Sequence, residues 1–159
     1  MRSGDLPKLI ISILICVAAG FIGSLATMKS IPTWFAGLNK PSFSPPNYLF
    51  GPVWTALYIM MAVAAFLVWR RGFETGPVGI ALIVFGVQLI FNILWSILFF
   101  GLKMPGLAFL EIVVLWILIL ATILLFRRVS VAAAWLLVPY ILWVSFAAVL
   151  NYSLWRLNR

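Results

Sequence analysis

The sequence offers few residues that could carry acid–base or metal chemistry. It has no histidine, a single cysteine (Cys16) and three carboxylates, Asp5, Glu74 and Glu111. Without histidine or clustered cysteines, most metal sites, histidine-based catalytic triads and disulfide frameworks are excluded. We therefore expect no metal, no covalently bound cofactor and no ordinary acid–base catalysis.

Tryptophan is the residue type that stands out, with eight copies. Most tryptophans in membrane proteins anchor the chain at the membrane–water interface. Trp143 instead lies near the middle of an apolar run, where an indole N–H needs a hydrogen-bond partner or a ligand acceptor. Trp54 follows Gly51 and Pro52, a pair that favours a helix start beneath a long loop. For both tryptophans, cavity lining and plain packing remain open.

A polar stripe runs along one apolar segment. Gln88, Asn92 and Ser96 recur every four residues, so on a helix they share one face. Trp95 flanks that face, and Asn151 is a candidate to complete the same set from another segment. Because hydrocarbon disfavours polar groups, the stripe is expected to face the interior of a helix bundle. There it either lines a cavity or hydrogen-bonds neighbouring helices.

Two further features of the apolar runs are less specific. Glu111 is the one carboxylate inside a run, and a paired or snorkelling position explains it better than proton coupling does. Ala19, Gly23 and Thr27 form a row of small residues at helical spacing. Such a row permits close helix approach, either within the chain or across a dimer.

The elements that must position these residues follow from composition. Hydrophobic residues make up 65% of the chain and charged residues 9%, against roughly 45–50% and about 25% in soluble proteins. Five apolar runs are long enough to cross a bilayer as helices. They cover residues 9–28, 51–69, 77–100, 104–126 and 131–155. The predicted fold class is an all-α integral membrane protein, a five-transmembrane-helix bundle formed by one domain over residues 1–159.

Charges lie almost entirely at the ends of these runs, and the formal net charge is +8. The basic residues divide nearly evenly between the two membrane faces, so the positive-inside rule leaves the orientation open. They form no single patch, and this argues against nucleic acid as a partner. The expected partner is the lipid bilayer, whose anionic headgroups suit basic helix ends.

The segment 29–50 is much longer than a usual connection between helices. It contains several prolines, which fix the backbone, and aromatic residues that include Trp34. This composition predicts either a lid that packs over the open end of the bundle or an aromatic belt on the headgroups.

Three stretches together resemble the translocator protein family, also called tryptophan-rich sensory proteins and formerly peripheral benzodiazepine receptors. They are WFAGLNKPSFSPPNYLFGPVWTALY (34–58), VQLIFNILWSILFFG (87–101) and PYILWVSFAAVLNYSLWRLN (139–158). With the five runs, the resemblance covers nearly the whole chain. It implies a five-helix bundle in which the loop 29–50 caps a ligand pocket, a homodimeric assembly, and a prokaryotic cell membrane location. Eukaryotic relatives lie in the mitochondrial outer membrane.

The resemblance also implies ligands and site residues. Family members bind porphyrins such as protoporphyrin IX, synthetic isoquinoline and benzodiazepine-type drugs and, in mitochondria, cholesterol. Carried over by position, the ligand-binding residues are Ala26, Trp34, Trp54, Tyr58, Asn92, Trp95, Trp143, Ala147 and Leu150. In some bacterial members the pocket tryptophans are linked to light-driven porphyrin degradation, which makes Trp54 and Trp143 candidate redox residues.

Departures from the animal pattern affect the choice of ligand. Ile93, Ser96 and Ile97 stand where animal members resemble W-x-x-P-P, so high affinity for the mammalian drugs is not expected. A sterol consensus matches Leu150, Tyr152 and Arg156. That consensus is weakly specific, since an aromatic residue and an arginine are common at helix ends. Sterol is therefore not expected as the native ligand.

The preferred hypothesis is a membrane receptor or sensor that binds a porphyrin or another lipophilic small molecule between its helices. Lys29, Lys40 or Ser42 would meet the porphyrin propionates at the pocket mouth. The alternatives are light- and oxygen-dependent porphyrin degradation, transport of tetrapyrroles or other lipophilic ligands, and a scaffold that meets its partners through the loop. Transport has little support, because no inverted repeat or buried charge pair is visible.

Overall fold

The computed structural model describes residues 4–74 and 76–159, so residues 1–3 and 75 of the predicted domain lie outside it. Its helices are α1 (Asp5–Ser30), α2 (Asn47–Trp69), α3 (Val78–Ser96), α4 (Pro105–Val129), α5 (Val131–Leu136) and α6 (Val138–Leu157). Within the described ranges the chain forms helices and turns and no strand. Five helical segments are long and apolar enough to cross a membrane, with α5 and α6 joined in the fifth. The prediction of a five-span, all-helical membrane protein is confirmed.

Several helices extend beyond the apolar runs, because hydropathy marks only the part that lies in hydrocarbon. Helix α1 starts at Asp5 rather than at residue 9. The Asp5 carboxylate is buried and pairs with Arg70 at the end of α2, with an N–O distance of 3.2 Å. Helix α2 starts at Asn47, four residues before the apolar run, and includes Pro52 in its second turn.

The fifth span is interrupted rather than continuous. The backbone N–H of Leu137 bonds to the carbonyl of Ala134, and helix α6 starts again at Val138. Pro139 follows in its first turn, and a proline has no N–H to donate to the preceding turn of helix. Ser130 caps α5 by accepting a hydrogen bond from the Ala133 N–H.

Helix α3 ends in a π-helical turn, Ile97–Gly101, that shapes the site. The wide turn is closed by a hydrogen bond from the Leu102 N–H to the Ile97 carbonyl, 2.7 Å long. Two aromatic side chains of this turn, Phe99 and Phe100, are buried in the bundle. Such turns are often found at functional sites in helical proteins.

The helices pack so that α1 lies against α2 and α3, and α4 lies against α3 and α6. The small-residue row of α1 is used inside this packing: Ala19 is buried, and a Cβ on Gly23 would lie 3.3 Å from Ser96 Oγ. The homodimer predicted from the family stays a prediction. Large apolar side chains are exposed on the outer faces of all five spans, as a lipid-facing surface requires.

Candidate ligand pocket

Two cavities lie next to each other in the bundle. The first, which we call the inner void, has a volume of about 20 Å³ and lies between the loop, α2, α3 and α6. The second, the lateral cavity, has a volume of about 500 Å³ and is lined by α1, α2 and the end of α3. Four residues line both cavities: Phe50, Trp54, Trp95 and Phe100. We call these four the aromatic wall.

The centre of the aromatic wall is a stack of rings. Trp54 lies against Trp95 with 6.5 Å between ring centroids and 30° between ring planes. Trp95 stacks in turn on Phe99 of the π turn, at 5.4 Å and 21°. The Trp95 indole donates a hydrogen bond to Asn151 Oδ1 at 3.0 Å, and Asn151 Nδ2 donates to the Pro105 carbonyl at 2.7 Å. This hydrogen-bonded chain ties the wall to α6 and α4.

Helix α6 forms the far side of the inner void. Trp143 lies edge-on to Phe50, with 6.2 Å between centroids, and its ring is tilted against Phe146 at 5.5 Å. Ala147 and Leu150 complete this side of the void. The predicted residues Trp54, Trp95, Trp143, Ala147 and Leu150 therefore meet around one space.

The indole N–H groups of this region fall into two kinds. Those of Trp95 and Trp116 are hydrogen-bonded, Trp116 to Ser145 Oγ at 2.8 Å. Within residues 4–74 and 76–159, the N–H groups of Trp54 and Trp143 donate no hydrogen bond. A buried or half-buried indole usually finds a partner. These two donors are therefore available to a ligand.

A second polar system lies behind the wall, and its side chains bond to one another, except that Gln88 Nε2 has no partner among the described residues. Tyr58 donates its hydroxyl to Asn92 Oδ1, Asn92 Nδ2 donates to the Tyr140 oxygen at 2.9 Å, and Tyr140 donates to Gln88 Oε1 at 2.9 Å. We call these four residues the polar ladder. Asn92 and Gln88 are 1% exposed and line neither cavity. The Gln88 and Asn92 part of the stripe thus joins helices, and Tyr58 alone of the ladder borders the lateral cavity.

The loop between α1 and α2 lies over the inner void. Phe35 is 2% exposed and packs against Phe50 and Phe100, with centroids 6.2 and 5.7 Å away. The carboxamide of Asn158 pairs with the backbone of Asn39: it accepts from the N–H at 2.9 Å and donates to the carbonyl at 3.0 Å. This half of the loop packs as a lid, whereas Phe43 and Tyr48 further along are exposed.

Other predicted site residues lie outside the cavity walls. Trp34 packs edge-on against Phe99 with 5.6 Å between centroids, one layer behind the inner void. Ala26 packs with its Cβ 3.6 Å from the position of a Cβ on Gly101. The sterol trio is divided: Leu150 is buried at the void, whereas Tyr152 and Arg156 face outwards. No single face of α6 presents all three.

The lining of the inner void contains residues that the sequence did not indicate. They are phenylalanines of the loop, the start of α2, the π turn and α6: Phe35, Phe50, Phe99, Phe100 and Phe146. Phenylalanine is common in any membrane helix, so its type gave no signal. The α1 side of the lateral cavity could have been found from the small-residue row, because Gly20, Gly23, Ser24 and Thr27 line it.

Charged groups lie at the edge of these cavities or away from them. Lys40 Nζ lies 4.8 Å from the Phe35 ring centroid and 3.4 Å from the Ala36 carbonyl oxygen, at the outer side of the loop. Glu111 is buried on α4, and neither of its carboxylate oxygens meets a hydrogen-bond partner among the described residues. No group of three potential metal ligands was found in residues 4–74 and 76–159. The chemistry of the site is therefore that of aromatic surface and indole N–H donors.

Comparison with known protein families shows which family this architecture belongs to. The model of the TspO/MBR family matches residues 12–156, nearly the whole chain. The chain belongs to this family. The resemblance that the sequence motifs indicated is thereby confirmed.

Named relatives come from all three domains of life. The tryptophan-rich protein TspO of Archaeoglobus fulgidus is 44% identical over 154 residues, 97% of this chain and 99% of the relative. The tryptophan-rich sensory protein of Cereibacter sphaeroides is 38% identical over 141 residues, with 89% and 87% covered. The human translocator protein is 37% identical over 139 residues, with 87% and 82% covered.

Family membership and the five apolar helices make this chain a multi-pass integral membrane protein. Its bacterial and archaeal relatives fit a prokaryotic membrane. The sensory-protein and translocator names of its relatives support a role as a membrane receptor or sensor.

Proposed function

We propose that the protein is a membrane receptor for a flat, lipophilic tetrapyrrole such as protoporphyrin IX, which binds against the aromatic wall. The observation that carries this proposal is the pairing of stacked rings with unused donors. Trp54 and Trp95 present an aromatic surface, and the N–H groups of Trp54 and Trp143 have no partner in the described part of the chain. A planar macrocycle with polar edges uses both features.

The size of the space supports a small-molecule ligand. Ligand pockets usually measure roughly 300–1,000 Å³, and the lateral cavity, at about 500 Å³, falls in that range. The inner void, at about 20 Å³, holds no ligand unless Phe50 or Phe35 moves. We propose that the macrocycle lies in the lateral cavity and that Phe50 gives way as it reaches Trp143.

The propionate groups of a porphyrin need a polar exit. Lys29 and Ser42 are exposed in or beside the loop, and Lys40 lies at its outer side over Phe35. Exposed cations near a headgroup layer attract carboxylates without a large desolvation cost. We propose that the propionates point towards this end of the bundle.

The test is a titration with protoporphyrin IX in the dark, read by quenching of tryptophan fluorescence. Trp54→Phe and Trp143→Phe each remove an N–H donor but keep an aromatic ring. We expect each to weaken the dissociation constant about fivefold, since one such contact is worth about 1 kcal/mol. Trp135→Phe is the matched control, because Trp135 is 68% exposed on α5 and lines neither cavity. Quenching that does not saturate and is equal in all variants would contradict the proposal.

Light-driven porphyrin degradation is a second candidate, favoured because Trp54 and Trp143 both line the inner void. Indole is an electron donor, so an excited porphyrin bound within reach of these tryptophans could oxidise either ring. Illumination of the titrated samples in air tests this candidate. It predicts a loss of porphyrin absorbance that needs light and oxygen and that disappears in the Trp54→Phe, Trp143→Phe double variant.

A further inference from the structure

We infer that the ligand enters and leaves sideways, from the bilayer through the lateral cavity between α1 and α2, and not from water past the loop. The lateral cavity is then a site in its own right for a planar, lipophilic molecule dissolved in the membrane. This inference rests on the proposed function and adds the path by which the ligand reaches its site.

The aqueous route is closed at several points. Phe35 fills the space beneath the loop among the rings of Phe50 and Phe100. The Asn158 carboxamide holds the Asn39 backbone through two hydrogen bonds. At the α1 end of the loop, Ser30 Oγ donates to the Phe100 carbonyl at 2.6 Å. A ligand arriving from water would have to break these contacts before it reached the wall.

The lateral route, by contrast, is open to the hydrocarbon. Apolar side chains of α1 and α2 that line the lateral cavity are about half exposed at its rim: Val17, Phe21, Met28 and Ile59. Such residues on the outer face of a transmembrane helix contact lipid tails. A molecule dissolved in the bilayer therefore meets the cavity mouth directly.

Three hydroxyl groups of the lateral cavity are already hydrogen-bonded within their own helices. Ser24 donates to the Phe21 carbonyl at 2.7 Å, and Thr27 to the Ser24 carbonyl at 3.0 Å. On α2, Thr55 donates to the Gly51 carbonyl at 2.9 Å. An apolar ligand that covers these three hydroxyls leaves them bonded, so covering them carries no penalty for a buried unsatisfied group.

The floor of the lateral cavity is held in place. A Cβ on Gly20 would lie 2.7 Å from two ring carbons of Tyr58, so the ring fits only because residue 20 is glycine. The Tyr58 hydroxyl is in turn bonded to Asn92 in the polar ladder. The packing of the helices thus fixes the floor of the lateral cavity.

The aromatic wall determines which occupant suits the cavity. A lipid acyl chain would fill the volume but would leave the Trp54 N–H unused and gain nothing from stacked rings. A planar conjugated ligand gains from both, and the same wall continues into the inner void. We therefore assign the lateral cavity to the planar ligand.

The experiment compares a locked loop with a blocked cavity in liposomes, by stopped-flow quenching with protoporphyrin IX in the dark. Asn39→Cys with Asn158→Cys, in a Cys16→Ala background, places a cysteine pair where the Asn158 carboxamide meets the Asn39 backbone, and the oxidised pair holds the loop closed. Ser24→Phe fills the lateral mouth. Ser153→Phe is the matched control, since Ser153 also bonds to a carbonyl of its own helix and lines neither cavity.

We expect the locked loop to keep its association rate within about twofold of the reduced form. Ser24→Phe should slow association at least about tenfold, and Ser153→Phe should leave it unchanged. A locked loop that stops association, or a Ser24→Phe rate equal to that of Ser153→Phe, would overturn the lateral route while leaving the proposed function in place.

Two further outcomes separate the remaining possibilities. If the wild-type protein shows no saturable quenching, the proposed function fails, and the lateral route that rests on it falls too. If lipids with brominated chains quench Trp54 and protoporphyrin IX does not displace that quenching, the cavity holds an acyl chain and the inference is overturned. Displacement of the brominated chains by protoporphyrin IX supports it.

Discussion

Two groups of polar side chains lie a few residues apart inside this bundle, and they are organised in opposite ways. In the polar ladder, Tyr58, Asn92, Tyr140 and Gln88 bond to one another across α2, α3 and α6. At the aromatic wall, Trp54 keeps its N–H group free of partners in the described residues, and so does Trp143 on the far side of the inner void. The ladder joins the helices, whereas the wall keeps donors and ring surface available for another molecule.

This difference shows how a chain with almost no charge in its spans separates stability from recognition. Polar groups that bond to each other are removed from competition for a ligand, and within hydrocarbon they restrict how the helices pack. Asn151 supports the wall and not the ladder, because it accepts a hydrogen bond from the Trp95 indole and donates one to the Pro105 carbonyl. Substitutions in the ladder and around the wall therefore test whether stability and ligand affinity change independently.

The largest effect on stability is expected from Tyr140→Phe in the ladder. The change keeps the ring but leaves Asn92 Nδ2 and Gln88 Oε1 without the hydroxyl that joins them. We expect a loss of about 2 kcal/mol in the free energy of unfolding, which lowers Tm by about 4–8 °C for a chain of this size. Thermal unfolding in detergent, followed by intrinsic fluorescence, measures this.

The exposed Tyr152→Phe is the control for that change and should leave Tm unaltered. Affinity for protoporphyrin IX should stay within about twofold in Tyr140→Phe, because the ring whose centroid lies 6.4 Å from that of Trp54 is retained. A large loss of affinity would show that the ladder and the wall are one functional unit, and would contradict the separate roles assigned to them.

An intermediate effect is expected from Asn151→Leu, which frees the Trp95 indole and the Pro105 carbonyl. The unfolding free energy should fall by about 1 kcal/mol, and protoporphyrin IX affinity should fall about threefold, since a mobile ring stacks less well. Asn47→Leu, at an exposed position, is the control. Loss of stability with unchanged affinity would show that Asn151 is only a link between helices.

The smallest effect on stability is expected from Asn158→Leu at the loop. This carboxamide is near the surface, so removing its two bonds to Asn39 should cost about 0.5 kcal/mol. Hydrogen exchange should nevertheless become faster at the Asn39 amide, because the loop can then open locally without first breaking the hydrogen bond of that amide. Unchanged exchange at Asn39 would mean that the packing of Phe35 alone holds the loop.

The five spans could be predicted from sequence because the cost of placing charge in hydrocarbon dominates every local preference. The break at Leu137 had a signal in Pro139, but an unbroken apolar run outweighed it. The π turn at Ile97–Gly101 has no such signal, since its residues are ordinary apolar helix formers. Features set by desolvation were visible in the sequence, and features set by backbone geometry were not.

The candidate site also divides into features that the sequence predicted and features that depend on packing. The tryptophans at positions 54, 95 and 143 were predicted because their type is rare and their positions match a family motif. The separation of the space into two cavities depends on where Phe50 and Phe100 lie after packing. Ala26 illustrates the reverse: a position carried over by weak similarity on α1 lies against Gly101, outside both cavities.

The most direct test of the central claim is a crystal structure of the protein with protoporphyrin IX, prepared in the dark from a lipidic phase. The account predicts a macrocycle stacked against Trp54 in the lateral cavity, in contact with the Trp54 N–H and with Phe50 displaced towards Trp143. A macrocycle bound on the outer face of α6, against Tyr152 and Trp155, with the aromatic wall unchanged, would contradict it.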